Sequence, residues 1–300
     1  MTLSPRWLFW TPTLIWASTW HVILYQLAET PATSAVALRF ALAALLLAAV
    51  ARATGLSLRA PPALHAGMLL TGCVQYGLNY TAVYEAERHL PSGLVAVLFT
   101  LMVFINALTG RLFFGRALSL RFGICALAGM AGVALIFWPE VLAASARPGS
   151  ALGLALGLGA VASACAGNVL TLKLAERGIA LVPLLAWCMG YGALLLTAYS
   201  LAVGDGLSVG HSTAWWASLV YLAAFGSVLA FLAYFRLAQQ QGPGRAALTS
   251  VLTPVIALAV SAALEGWRPH ALSLAGVVVC IGSVWWATRE DPAASRDAGD

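Results

Sequence analysis

The sequence predicts an all-α polytopic membrane protein with ten transmembrane helices, arranged as two inverted five-helix repeats. Three observations indicate this class: ten long apolar stretches, basic residues concentrated in every second gap between them, and two halves that resemble each other. The 300-residue chain is 61% hydrophobic and only 9% charged. So little charge cannot cover a globular surface in water, whereas a surface that faces lipid needs almost none.

Ten apolar stretches follow one another along the chain, and each is long enough for the roughly 20 helical residues that cross a bilayer core. The first runs from Trp7 to Leu27, which is too long and too aromatic for a cleavable signal, so a retained first helix is expected. The stretches are 7–27, 33–51, 63–84, 91–110, 122–138, 151–172, 181–203, 213–235, 246–264 and 271–288.

The gaps between these stretches alternate in basic content. One alternate set of gaps, which includes both chain ends, holds twelve Lys and Arg residues, and the other set holds three; Arg39 lies inside a stretch. Short loops rich in Lys and Arg stay cytoplasmic, so both termini are predicted to be cytoplasmic. The net charge of +5 follows from those loops, which can meet anionic lipid headgroups, and nucleic acid is not an expected partner. The five cysteines lie inside apolar stretches without CxxC spacing, so no disulfide, metal or cofactor is expected.

The two halves of the chain look like copies of each other. The tetrapeptide ALSL at 117–120 recurs at 271–274, and in each half two glycines six residues apart follow it. An odd number of spans per half inserts the copies in opposite orientations, which is a common architecture of secondary transporters. The expected parts are a first repeat at 1–138, an outer connecting segment at 139–150, a second repeat at 151–288 and a disordered cytoplasmic tail at 289–300.

Several segments together carry a family resemblance: LIWASTWHV in the first span, ALRFALAALLL in the second, and LTSVLTPVIALAVSAALEGWRP followed by LAGVVVCIGSVW in the last two. With these segments the chain resembles the ten-span EamA-type members of the drug/metabolite transporter superfamily. Pro254 and Glu265 match the ninth-span signature, whereas Val103 and Phe114 replace the corresponding proline and glutamate of the first half. The resemblance implies a basket-like bundle, similar to bacterial amino-acid and metabolite exporters, with a central cavity lined mainly by spans one, three, four, six, eight and nine.

Polar and aromatic side chains inside the predicted spans mark the candidate substrate surface, because polar groups in lipid usually face a cavity or another helix. Span three has the densest run, in which Gln75 and Asn79, like Tyr76 and Tyr80, are four residues apart and share one side of a helix. They either contact substrate or bond to neighbouring helices. The other candidate substrate-binding residues are Trp16, Trp20, His21, Asn168, Trp187, Phe231 and Tyr234.

Three single residues have their own interpretations. His21, the only histidine deep within a span, either binds a carboxylate, titrates, or is a neutral histidine bonded to a carbonyl. Arg39 lies toward the outer end of span two, where an ion pair with a glutamate of the outer loops is favoured over contact with a substrate carboxylate. Pro254 removes a backbone hydrogen bond in the middle of span nine and predicts a hinge.

The functional prediction depends partly on what the sequence lacks. No acid lies in the middle third of any predicted span, and no GxxxxGK[ST] motif occurs, which favours uniport or exchange over ATP-driven transport. The sequence therefore predicts a multi-pass secondary transporter of the inner membrane that moves small amphipathic metabolites by alternating access. Export of amino acids, aromatic or other neutral ones, is the favoured interpretation. The small-molecule substrate and the lipid bilayer are the expected partners, and a monomer is compatible with the sequence.

Three alternatives stay open at this point. The competitor within the transporter class is a multidrug or organic-cation exporter. A remote alternative is an intramembrane enzyme, for which Ser18 and His21 lie three residues apart on one span, without a supporting GxSxG or HExxH motif. A receptor or scaffold without transport is the third.

Overall fold

The computed structural model describes residues 4–114, 120–143, 149–204, 206–242, 246 and 249–288. These residues form helices joined by short connections, and none of them belongs to a strand, which confirms the all-α class. The long helices in chain order are α1 (Pro5–Leu27), α2 (Ala32–Ala53), α3 (62–87), α4 (92–114), α5 (Leu120–Ala143), α6 (Ser150–Ala175), α7 (Leu181–Ala202), α8 (Thr213–Gln241), α9 (Thr249–Leu264) and α10 (Ala271–Thr288).

Among the described residues, five helices are long and apolar enough to cross a membrane: α2, α4, α6, α7 and α8. Three shorter apolar segments lie in α5, α9 and α10. The helix α5 continues through Pro139 to Ala143, so the predicted connecting segment 139–150 is helical at its start and again at Ser150. The first ALSL segment, apart from Leu120, and the predicted tail at 289–300 lie outside the described residues.

Local sequence explains where several helices begin. Ser4 and Ser212 are the N-cap residues of α1 and α8, and their hydroxyls accept hydrogen bonds from the backbone N–H groups three residues later. Pro31, Pro61 and Pro91 occupy the N-cap positions of α2, α3 and α4. Proline disfavours helical geometry in the residue before it, so these three prolines separate each helix from the turn that precedes it.

Two helices contain π-helical segments at matching places. In α3 the α-helix ends at Thr71, a π segment spans Gly72–Leu78, and α-helix resumes at Asn79. In α8 the π segment spans Leu222–Leu229. Such segments leave some carbonyl groups without their usual intrahelical partners and are frequent at functional sites.

Side chains from neighbouring helices bind carbonyls of both π segments. Ser163 on α6 donates to the Val74 carbonyl in α3 at 2.7 Å. Trp16 on α1 donates from Nε1 to the Gly226 carbonyl in α8 at 3.1 Å. In each case the first helix of one half supports the π segment of the other half.

The most extensive helix pairs join α2 with α7 and α5 with α10. In addition, α1 packs against α8 and α9, while α6 packs against α3 and α4. Glycine permits the closest approach: a Cβ atom at Gly276 would lie 2.5 Å from the Gly132 carbonyl oxygen, so any larger residue would separate α10 from α5. Every one of these pairs brings together helices from different halves of the chain.

Candidate functional site

A cavity lies between α1, α3, α4, α6, α8 and α9, and Arg39 reaches it from α2. These six helices are the ones that the family resemblance implied. The cavity volume is about 70 Å³, well below the roughly 300–1,000 Å³ of typical small-molecule sites, so the cavity is narrow in this conformation. The predicted substrate-binding residues that line it are Trp16, Trp20, Gln75, Asn79, Tyr80, Asn168, Phe231 and Tyr234.

A chain of polar side chains crosses one wall of the cavity. Gln75 donates from Nε2 to Oδ1 of Asn168 at 3.4 Å, and Asn168 donates from Nδ2 to the Tyr234 hydroxyl at 3.3 Å. Asn79 donates from Nδ2 to the Gln75 backbone carbonyl at 3.3 Å. The side-chain oxygens Oε1 of Gln75 and Oδ1 of Asn79 are buried and receive no hydrogen bond from the described residues. A donor on a bound solute would remove the cost of leaving them unpaired.

Aromatic rings form the rest of the wall. Trp16 lies 5.4 Å, between ring centroids, from both Phe231 and Tyr234. On the other side Trp20 lies 5.0 Å from Phe99, a residue of α4 that the sequence did not single out. The Trp20 Nε1 group is buried and finds no acceptor among the described residues. The cavity thus combines apolar rings with a few unpaired polar atoms, as small-molecule sites commonly do.

Tyr76 and Trp187 do not line the cavity. Tyr76 is fully buried behind the wall, where its ring lies 5.4 Å from that of Phe231. Trp187 donates from Nε1 to the Leu58 backbone carbonyl at 2.8 Å and stacks on Tyr191. Trp187 therefore anchors the segment before α3 to α7.

His21 also lies outside the cavity lining and belongs to a group of polar residues that we call the Glu265 cluster: His21, Ser92, Ser261 and Glu265. Glu265 accepts hydrogen bonds from the Ser92 backbone N–H at 3.0 Å, the Ser92 hydroxyl at 2.5 Å and the Ser261 hydroxyl at 2.9 Å. Nδ1 of His21 lies 3.0 Å from Oε1 of the same carboxylate. His21 thus contacts a carboxylate, as one interpretation proposed, but the carboxylate is that of Glu265.

The Glu265 cluster connects three helices. It joins the last third of α1 to the first turn of α4 and to the end of α9. A carboxylate at a helix N-terminus is favourable because it faces unpaired N–H groups and the positive end of the helix dipole. Burial raises the pKa of Glu265, but the hydrogen bonds from Ser92, His21 and Ser261 outweigh it and hold that pKa below its ordinary value of 4.5. The carboxylate is therefore ionised at neutral pH.

Arg39 lines the cavity without the predicted ion pair. It is 1% exposed, and no carboxylate oxygen of the described residues lies within 4.0 Å of it. Glu85 instead pairs with Arg88 at 3.4 Å, and Glu29 binds the backbone N–H groups of residues 211 and 212. Glu87 is buried, and its two carboxylate oxygens have no hydrogen-bond partner among the described residues. The position of Arg39 near the end of a span favoured an ion pair with the outer loops, whereas its place at the cavity agrees with the alternative interpretation, contact with a substrate carboxylate.

Pro254 is buried within α9, beside the cavity. A proline has no N–H, so the Ser250 carbonyl one turn earlier lacks its usual intrahelical partner. Ser250 and Thr253 both line the cavity, and the sequence analysis named neither of them. The helix is thus weakened at the level of the candidate site.

These features define a multi-pass helical membrane protein with a narrow cavity, lined by aromatic and polar side chains, among its helices. The chain belongs to the EamA-like transporter family, whose sequence profile matches residues 6–138 and 151–289. It is 27% identical over 255 residues to the uncharacterized inner membrane transporter YedA of Escherichia coli K12, a match that covers 84% of this chain and 80% of YedA. The YedA proteins of strains CFT073 and O157:H7 match equally well.

The fold also matches that of a protein solved by crystallography. That chain has a TM-score of 0.70 and 18% sequence identity, and the match covers 99% of both chains. At this identity the likeness concerns the fold alone. From its family and its relatives, the chain is a multi-pass transporter of the inner membrane, and both point to transport rather than catalysis.

Proposed function

We propose that this chain is a secondary transporter that exports small amphipathic metabolites by alternating access, with neutral amino acids, aromatic ones included, as the favoured substrates. The observation that supports this most directly is the cavity itself. It places unpaired buried polar atoms of Gln75, Asn79 and Trp20 among aromatic rings, which suits a solute with one polar and one apolar end. Transport by uniport or exchange remains the proposed mode.

We further propose that the chain crosses the membrane ten times, as two inverted five-helix repeats with both termini in the cytoplasm. Three facts support this. The family profile matches the chain twice, at 6–138 and 151–289. The π segments, Gly72–Leu78 and Leu222–Leu229, occupy the third helix of each half. The packing is reciprocal, since α2 lies along α7 and α5 along α10, as expected when helices pair with their counterparts across a pseudo-two-fold axis.

The alternatives receive less support. Ser18 is the nucleophile of the enzyme hypothesis. Its hydroxyl lies 2.8 Å from the Ile15 carbonyl, to which it can donate, and 2.7 Å from the Tyr221 hydroxyl, with which it forms a hydrogen bond. Among the described residues no hydrogen bond joins Ser18 to His21, whose Nδ1 contacts Glu265, so the two residues do not form a nucleophile–base pair. A multidrug exporter for organic cations is disfavoured because Arg39 places a positive charge at the cavity.

Flux measurements test the proposal. The purified protein is reconstituted in liposomes and assayed with labelled phenylalanine, threonine and a cationic dye, with and without a pH gradient. Amino-acid flux that does not need the gradient is the expected result. Dye flux alone would favour the drug exporter, and a folded protein that moves none of the three would refute transport of these classes.

A matched pair of asparagine variants connects flux to the cavity. Asn79→Ala removes an amide that lines the cavity and is expected to raise the KM for amino-acid flux at least tenfold. Asn106→Ala removes an equally buried amide of α4, with an unpartnered Nδ2, that does not line the cavity. Equal effects of the two changes would show that the cavity amide has no special role.

The hinge proposed at Pro254 has its own test. Pro254→Ala restores a hydrogen bond to the Ser250 carbonyl, and we expect it to stiffen α9 and slow turnover. Pro183→Ala is the control, because Pro183 lies in the first turn of α7, where a missing N–H costs no intrahelical bond. Parental rate and affinity in Pro254→Ala would refute the hinge.

A further inference from the structure

We propose that Arg39 is the carboxylate-binding residue of the cavity, and that the cavity selects solutes bearing a carboxylate and an ammonium group. This inference rests on the proposed transport function and specifies the chemistry of its substrate. Arg39 belongs to α2, yet its guanidinium lies at the cavity formed by six other helices. A cation in this place needs a reason, because a buried charge within a membrane is costly unless it is paired or binds a ligand.

The guanidinium retains unused hydrogen-bonding capacity. Arginine has five N–H donors. Arg39 uses Nε toward the Ser227 hydroxyl at 3.0 Å and Nη1 toward the Tyr84 hydroxyl at 3.4 Å. Its Nη2 group makes no hydrogen bond with the described residues, so three donors are left. Planar guanidinium groups bind carboxylates through two parallel hydrogen bonds, which is the interaction these donors allow.

Neutral groups hold Arg39 in position. The Ser227 hydroxyl donates to a backbone carbonyl of its own π segment at 2.9 Å, so its oxygen is free to accept from Nε. The Tyr84 hydroxyl donates to Oε1 of Gln26 at 2.7 Å and likewise presents its oxygen to Arg39. These contacts fix the side chain without cancelling its charge. The site is therefore ordered for an anion before the anion arrives.

The guanidinium of Arg39 lies over the face of the Tyr80 ring in a cation–π contact, with Cζ 4.6 Å from the ring centroid. Gln75, Asn79 and Tyr80 all line the cavity on α3. Oε1 of Gln75, which lies against Gly167 of α6, and Oδ1 of Asn79 are buried and receive no hydrogen bond from the described residues. An ammonium group has three donors and no acceptor, and these two oxygens match it. Arg39 together with the two amides therefore complements the two charged groups of an amino acid.

The charges carried by a solute determine how well it fits this site. A cationic solute without a carboxylate would meet Arg39 with repulsion and leave its donors unpaired. A carboxylate without an ammonium group would leave the oxygens of Gln75 and Asn79 unpaired. The zwitterion satisfies both sets, and the aromatic rings of Trp16 and Phe231 remain for its side chain.

The test uses the parental protein in liposomes and asks which solutes compete with labelled L-phenylalanine. Unlabelled L-phenylalanine is compared with L-phenylalaninamide, which lacks the carboxylate, and with 3-phenylpropionate, which lacks the ammonium group. We expect each analogue to compete at least tenfold more weakly. If phenylalaninamide competes as well as phenylalanine, transport stands and the carboxylate site is overturned. If the folded protein moves neither phenylalanine nor any analogue, the transport function itself fails.

Variants then assign the effect to Arg39. Arg39→Gln is expected to raise the KM for phenylalanine at least tenfold and to abolish the preference for phenylalanine over phenylalaninamide. Arg39→Lys keeps the positive charge but loses the planar guanidinium that can bind a carboxylate through two hydrogen bonds. It should therefore retain part of the preference for phenylalanine over phenylalaninamide. Arg59→Gln, at an exposed position between α2 and α3, is the control and should behave like the parent. If Arg39→Gln prefers phenylalanine over phenylalaninamide as strongly as the parent does, Arg39 is not the carboxylate-binding residue. If that variant does not fold, the competition by analogues in the parental protein decides whether the cavity binds a carboxylate.

Discussion

The Glu265 cluster makes the substitution Glu265→Gln a quantitative test of how α1, α4 and α9 are held together. The parental carboxylate accepts from Ser92, Ser261 and His21 through four contacts of 2.5 to 3.0 Å. Glutamine fills the same volume and can keep neutral hydrogen bonds, so the loss is the difference between charged and neutral bonds. That difference is about 1 kcal/mol per bond, or roughly 2–4 kcal/mol for the cluster. It corresponds to a fall in Tm of roughly 4–8 °C for a chain of this size.

Thermal unfolding in detergent measures this change, and Glu87→Gln is the matched control. Glu87 is a buried glutamate whose oxygens have no hydrogen-bond partner among the described residues. It acts on Glu265 and Arg39 only through longer-range electrostatics, so its substitution should cost much less stability than Glu265→Gln. Hydrogen exchange adds a local readout: Ser92–Leu98, at the start of α4, should exchange faster in Glu265→Gln. Equal Tm values for the two variants, or unchanged exchange at the start of α4, would refute this account of the cluster.

The pH dependence has a definite sign. The pKa of Glu265 is held below 4.5, so the folded protein binds its proton less readily than the unfolded chain does. The stabilisation is present above the unfolded pKa and is lost as pH falls through the folded pKa. The Tm of the parent should therefore fall more steeply below about pH 4.5 than that of Glu265→Gln, and the two curves should converge in acid.

Two further substitutions separate cavity effects from general stability. Gly167→Ala would drive a Cβ atom into Oε1 of Gln75 and should weaken substrate binding. Gly159→Ala meets no described atom within 4 Å and should leave flux unchanged, so equal KM values for the two variants would contradict this. Trp187→Phe loses the hydrogen bond to the Leu58 carbonyl and should cost about 1 kcal/mol in thermal unfolding, with an unchanged KM because Trp187 lies outside the cavity lining.

The cavity residues of α3 could be predicted from sequence because the chain carries so few polar groups within its spans. Where lipid is the solvent, an amide such as Asn79 must face the interior, and the helical period places Gln75 and Tyr80 near it. The same reasoning found Asn168 in the second half. It identified the residues without needing to know which helices are neighbours.

Pairings between the halves could not be predicted in this way. His21 meets Glu265 across 244 positions, and Arg39 meets Ser227 across 188, and no local pattern contains such a contact. Tyr76 lies four residues before the cavity residue Tyr80, yet its side chain is buried behind the cavity wall. The π segment of α3 changes the direction in which successive side chains point. Sequence periodicity assumes a regular α-helix and therefore misplaces residues at such a segment.

The π segments also set the rotational phase of the helices that contain them. Each residue advances an α-helix by about 100°, and a π turn absorbs an additional residue without breaking the rod. Removing one residue within Gly72–Leu78 would therefore let this segment close into a regular α-helix, and Pro62–Thr71 would keep nearly the same rotation relative to Asn79–Glu87. Removing one residue within the α-helical part Asn79–Glu87 would instead turn the residues beyond the deletion by about 100°, so that deletion should be the more damaging of the two.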